Sequence, residues 1–194
     1  MKAAVMVAFG DKAVNEAASC SATALEHGAE QVKIITRNYG GVSSKQASRY
    51  AKTKLLDWTE FDEILYLDAD TRVTGPVGAG YEIIADGWDM AIVPSDNQGE
   101  QLLWHIDKPE KDNTLLELGY IPLQLQAGVM FVGRNERTKA FFHAWFDEYC
   151  KYGDEDQAAF LRALNRVPLK IWLLGKPWNG GPVIQHRFGA FREN

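Results

Sequence analysis

The chain of 194 residues predicts an α/β fold, with a mostly parallel central sheet flanked by helices. Two observations carry the prediction. Short apolar runs without polar alternation recur along the chain, which is the pattern of strands buried on both faces. Longer amphipathic or alanine-rich segments separate them, so the first third reads strand, helix, strand, helix, strand, the order of right-handed parallel crossovers.

In chain order, "AAVMVAFG" (3–10) is a buried strand closed by glycine, and "NEAASCSATALEHG" (15–28) a helix ended by glycine. "QVKIITRN" (31–38) is a second strand. "SSKQASRYAKTKLLDW" (43–58) follows with serine caps, interleaved basic residues and helical spacing of Tyr50, Leu55 and Trp58. "EILYLDAD" is the third strand. "YEIIADG" (81–87) reads as helix, "DMAIVP" (89–94) as strand, and "GPVGAG" (75–80) as a turn, since it lacks the third glycine of a dinucleotide loop. The segment from Ser95 to Tyr120 has no firm period and reads as an insertion or lid. "LQAGVMFVG" (125–133) is another buried strand, followed by helices at "ERTKAFFHAWFDEYCKY" (136–152) and "EDQAAFLRALNR" (155–166). The aromatic set Phe141, Phe142, Trp145 and Phe146 is core at helical spacing. The C-terminal stretch reads as loop with one small strand, with Gly180 and Gly181 making a turn.

The bulk numbers narrow the function classes. A net charge of −5 gives no global attraction to nucleic acid or anionic membrane. Two cysteines, Cys20 and Cys150, build neither a disulfide framework nor a zinc site. No stretch approaches the ~20 apolar residues of a membrane span, no G-x-x-x-x-G-K-[ST] occurs, and the N-terminus reads as a first strand. The expectation is one cytoplasmic domain over residues 1–194.

"ILYLDAD" (64–70) ends a buried strand with two carboxylates, Asp68 and Asp70, which repel one another unless something offsets their charge. Residues i and i+2 of a strand point the same way, and ligands of open parallel sheets bind beyond the strands' carboxyl ends. A hard divalent cation, magnesium or manganese, carrying a diphosphate would remove the repulsion. A second triplet, Asp154 and Asp156, lies in "GDEDQ". An isolated Asp-x-Asp is as often a solvated strand end. Position after "ILYL" favours the first copy.

"TKLLDWTEFDEILYLDADTRV" resembles the glycogenin-like retaining glycosyltransferases, glycosyltransferase family 8, with their GT-A fold. "LQAGVMFV", "DQAAFLRAL" and "HRFGAFR" resemble further motifs of that family in the right order, so the resemblance spans nearly the whole chain. It implies a hexosyltransferase taking glucose or galactose from a UDP-sugar donor, with retention and with Mn2+ or Mg2+. Asp68, Asp70 and His186 would ligate the metal, and Asp68 and Ala69 would contact the nucleotide. Gly189 would let the backbone approach the diphosphate, and Arg192 would neutralise it. Lys54, Asp156 and Gln157 would act near the donor phosphates and the anomeric carbon. Ala8, Phe9, Gly10 and Asp11 would line the base pocket. The acceptor stays open among sugar, lipid, protein and nucleobase, and a homodimer fits the family. His27, His105 and His143 have no supporting context. Gln126 stands where the family has asparagine, and the chain is short. A sugar-nucleotide nucleotidyltransferase, or a nucleotide-binding protein on this fold without transferase activity, are the competing readings.

Overall fold

A computed structural model describes residues 1–36 and 42–187. In chain order the elements are β1 (Lys2–Val7), α1 (Asp11–Glu26), β2 (Gln31–Ile35), α2 (Ser44–Thr53), β3 (Glu63–Asp68), β4 (Thr71–Val73), α3 (Gly78–Ala85), β5 (Met90–Pro94), α4 (Lys108–Leu118), β6 (Leu125–Gly133), α5 (Glu136–Cys150), α6 (Asp156–Arg166), β7 (Ile171–Leu173) and β8 (Ile184–His186). Six strands form one sheet in the order β2-β1-β3-β6-β5-β7, and β4 pairs with β8 in a separate two-stranded ribbon. Within the large sheet β1 runs parallel to β2 and β3, and β5 parallel to β7, while β6 alone runs antiparallel to both neighbours.

The continuous apolar runs follow from two covered faces. In β1, Val5 and Val7 join one core and Ala4 and Met6 the other; in β3, Ile64 and Tyr66 face the first and Leu65 and Leu67 the second. Helices α2, α5 and α6 cover the first face, where Phe141, Trp145 and Phe160 pack with centroids 4.9–5.9 Å apart. Helices α1 and α3 cover the other. Local chemistry sets several ends. Ser43 and Gln46 form a capping box at α2, and Asn135 and Thr138 a reciprocal pair at α5. Gly119, at φ 69°, ends α4 in the left-handed region.

Two expectations need correction. Residues 78–80 of the expected turn at 75–80 are the first residues of α3. The stretch 95–120 is not a free lid. It contains a 3-10 turn and α4, and Leu102, Leu103, Ile106 and Leu118 form a third core with Ala158 and Leu161 of α6. Buried Gln124 ties it down further: its backbone N–H donates to Gln98 Oε1 at 3.1 Å, and its Oε1 accepts from the backbone N–H of Leu103 at 2.8 Å. Leu103 has φ 52°, unusual for a non-glycine residue, while its side chain is wholly buried. Helix α4 escaped periodicity because its buried face is Glu110, Thr114 and Leu118, mostly polar. Among the described residues, no helix is long and apolar enough to cross a membrane.

Candidate functional site

The strands β1 and β3 end side by side, with Val7 in register with Asp68, and the antiparallel β6 begins at the same edge. The cleft forms there. Strand β3 stops at Asp68, so Ala69 and Asp70 lie in the turn to β4, not on the pleat expected to align the two acids. The turn brings them together instead, with Thr71 Oγ1 donating to the Asp68 carbonyl at 2.8 Å. The β4–β8 ribbon then sets Thr71 opposite His186, and the backbone N–H of Arg187 donates to the Asp70 carbonyl at 3.2 Å. That register delivers a histidine from far downstream onto the acidic turn.

One ligand atom from each of Asp68, Asp70 and His186 lies within 4.8 Å of the others. His186 Nε2 stands 3.2 Å from Asp70 Oδ1 and 3.9 Å from Asp68 Oδ2. The two oxygens of Asp68 have different surroundings. Oδ1 accepts from Tyr66 Oη at 2.8 Å and meets Lys52 Nζ at 3.3 Å, while Oδ2 faces the histidine. Gly128 makes room for this cluster: a Cβ there would stand 2.4 Å from His186 Cε1 and 2.7 Å from Asp68 Oδ2. The register of β5 and β6 slips between Ile92 and Val93, so β6 carries extra residues at 127–129, opposite the cluster. Gly128→Ala is accordingly expected to displace the His186 ring from Asp68 and Asp70, read as a shift of the His186 ring signals in 1H–15N NMR, with little change in circular dichroism.

Lys52 was not anticipated. It is buried, and its Nζ also lies 3.1 Å from Asp156 Oδ2, so one ammonium bridges two acids that are distant in sequence. Burial opposes its charge, but Asp156 and then Asp68 outweigh that and hold the amine well above its ordinary range. Asp156 is the first residue of α6. Burial pushes its carboxyl up, yet Lys52 and Arg49 hold it below the ordinary value. Burial, then Asp68, raises the Tyr66 phenol, so Tyr66 stays a donor. Lys54 does not reach the cleft. It sits 3.7 Å from Asp57 and over the Phe146 ring at 4.4 Å. Two residues along a helix rotate the side chain by about 200°, so Lys52 and Lys54 face opposite ways.

The remaining expectations sort by geometry. A cavity of about 400 Å³ is lined by Asp68, Asp70, His186, Asp156 and Gln157, and by Arg49, Lys52, His105, Gln126 and Gly128. It continues through Arg49, Lys52, Asp68 and Asp70 into a second of about 260 Å³, which adds Ala69, Val7 and Ser48. Gln157 Nε2 donates to the Leu125 carbonyl and ties α6 to the start of β6. Asp154 points away and is paired with Arg49, as is Glu155, so the second acidic triplet is split and only Asp156 enters the cleft. Ala8, Phe9, Gly10 and Asp11 line a separate pocket of about 410 Å³ between α1 and α2. Gly10, at φ 86°, allows the turn from β1 into α1. Gly189 and Arg192 lie outside the described residues.

No family model and no curated protein matches the chain. Solved structures do. A glycosyltransferase involved in the glycosylation of the major capsid of PBCV-1 is similar over 97% of this chain and 93% of its own, with TM-score 0.65 and 11% identity. The apo form of glycosyltransferase GlyE from Streptococcus pneumoniae TIGR4 is similar over all of this chain and 56% of its own, with TM-score 0.63 and 12% identity. Galactosyltransferase LgtC, in complex with donor and acceptor sugar analogs, is similar over 91% of this chain and 74% of its own, with TM-score 0.53 and 16% identity. The chain thus spans nearly the whole of the first and about half of the second. At such identities the likeness speaks for the architecture, and the chain has the GT-A glycosyltransferase fold.

Proposed function

We propose that this protein is a metal-dependent glycosyltransferase of the glycogenin-like family 8 type, which moves a hexose from a UDP-sugar to an acceptor with retention. The observation that carries the reading is one cleft holding both the Asp68–Asp70–His186 cluster and the Lys52–Asp156 ion pair. Two carboxylates and an imidazole suit manganese, or magnesium with retained water. Asp68 Oδ2, Asp70 and His186 Nε2 would hold the ion. When bound, it supplies positive charge against the leaving nucleoside diphosphate.

The chain's own residues do the rest. Lys52 and Arg49 add cationic charge along the wall shared by both cavities, where negative charge grows on the leaving group. Asp156, kept ionised by Lys52, and Gln157 stand beside the position for the sugar's anomeric carbon. The base would enter the pocket at Ala8–Asp11, and Gly189 and Arg192 would complete the diphosphate site. The GT-A neighbours support the donor class by analogy.

The test is thermal and chemical unfolding with UDP-glucose, UDP-galactose and manganese, followed by donor hydrolysis. A ligand at about 100 times its Kd raises stability by about 2.7 kcal/mol. Asp70→Asn is expected to lose the manganese-dependent part of that gain and of hydrolysis while keeping the apo melting temperature. A wild-type protein that binds no nucleotide sugar and hydrolyses none sinks the proposal. Tight UDP and manganese binding without any transfer would leave a binding protein on this fold.

A further inference from the structure

His186 makes a second contact, on the side turned away from the acids. Its Nδ1 lies 2.7 Å from Asn179 Oδ1, and Asn179 Nδ2 in turn donates to Gln126 Oε1 at 2.8 Å. Asn179 and the His186 side chain are both buried. We propose that Asn179 is a positioning residue that fixes which nitrogen of His186 is offered to the cation, and that Gln126 sets the orientation of Asn179. The inference deepens the metal-site reading above and rests on it.

An amide oxygen only accepts hydrogen bonds, so the His186 nitrogen facing Asn179 carries its hydrogen. Nε2 then carries the lone pair, and it faces Asp70 and Asp68. An asparagine amide turned the other way would present N–H groups to Nδ1 and favour the hydrogen on Nε2, in the place a cation would occupy. With its Oε1 turned to the Asn179 N–H, Gln126 favours the orientation that keeps the Asn179 oxygen on Nδ1. Partners of this kind on the far nitrogen set the tautomer and ring orientation of histidine ligands.

The backbone around Asn179 is built to hold it. The preceding 3-10 turn (Lys176–Trp178) is anchored by Trp178, whose ring packs edge-on against Phe131 at 5.5 Å. The backbone N–H groups of Gly180 and Gly181 both donate to the Ile184 carbonyl, at 2.9 and 3.2 Å, folding the loop back onto β8. Gln126 belongs to β6 on the other wall. The relay therefore joins the C-terminal ribbon to the main sheet through the histidine's back side. It also gives a specific role to the glutamine at 126, which is longer than the asparagine the resemblance leads one to expect and whose carbonyl thereby reaches Asn179.

The experiment measures Mn2+ affinity by electron paramagnetic resonance on the full chain without nucleotide, and follows the imidazole N–H of His186 by 1H–15N NMR with Mg2+. Asn179→Leu is expected to weaken Mn2+ binding about 10–100-fold and to abolish the slowly exchanging, downfield Nδ1–H signal. Asn179→Asp keeps an accepting oxygen and is expected to restore both. Gln126→Glu is expected to keep both, and Gln126→Leu to lose part of the affinity. Wild-type affinity in Asn179→Leu, or failure of Asn179→Asp to rescue while folded, overturns the positioning role. Wild-type protein that binds no Mn2+ overturns the metal reading beneath it, a separate and distinguishable result.

Discussion

Lys52→Met is expected to lower the unfolding free energy by about 3–5 kcal/mol at pH 7 and, under the proposed transfer chemistry, to slow donor cleavage by about 10²–10³. The stability loss comes from what stays behind. Asp156 keeps its burial and loses the ammonium 3.1 Å away, and Asp68 loses one of the two donors on its Oδ1. A buried charge stripped of its partner costs far more than the pair was worth. The folded-state carboxyl of Asp156 is held below its ordinary 3.8 and the Lys52 amine above its ordinary 10.5. The wild-type pair therefore contributes fully between about pH 4 and pH 10, losing its effect as pH falls through the Asp156 value or rises through that of Lys52. In Lys52→Met the largest charge opposing burial is gone and Arg49 alone remains against it, so the Asp156 carboxyl rises relative to wild type and the difference in stability should shrink as pH falls. Urea unfolding at pH 4 and pH 7 reads this directly. An equal loss at both values would assign the destabilisation to packing. Lys52→Met/Asp156→Asn should recover stability without activity, which separates the two roles.

Lys52 also shows what was legible and what was not. Strand limits were plain wherever both faces are apolar: β6 matches its expected span, and β1, β3 and β5 differ from theirs by a few residues at the ends. The acids were legible because a carboxylate pair after "ILYL" is costly without a function. Lys52 left a fainter signal. Lys45, Ser48, Arg49 and Lys52 recur at i, i+3, i+4 and i+7, one face of α2, and that face lines the cleft. The resemblance drew attention to Lys54, two residues on, and a helix turns those two apart. Asn179 gave no periodic signal, since its role depends on a loop folding back across the ribbon and on a glutamine 53 residues earlier. Long-range polar pairing of that kind has no local pattern.

Arg162→Met is expected to cost about 3–5 kcal/mol as well, through a wall of the cleft and not its floor. The guanidinium is wholly buried in α6. Its Nε donates to Glu148 Oε2 at 2.9 Å, and one terminal nitrogen donates to Glu110 Oε1 at 3.0 Å and to the Glu148 carbonyl at 3.1 Å. The other donates to Thr114 Oγ1. Glu148 has alternative cations in Lys151 and Arg166, at 2.6 and 2.8 Å. For Glu110, burial raises the carboxyl and Arg162 is what opposes that. Removing the arginine therefore strands the α4 side of the network. Hydrogen exchange should show α4 opening well before the sheet, since its polar inner face has little apolar area to hold it. Adding Glu110→Leu to Arg162→Met should restore more than half of the loss, because an apolar replacement of both partners removes the stranded charge. If the single variant keeps wild-type stability, the segment that carries His105 into the cleft is held by its leucines, and the buried arginine is incidental.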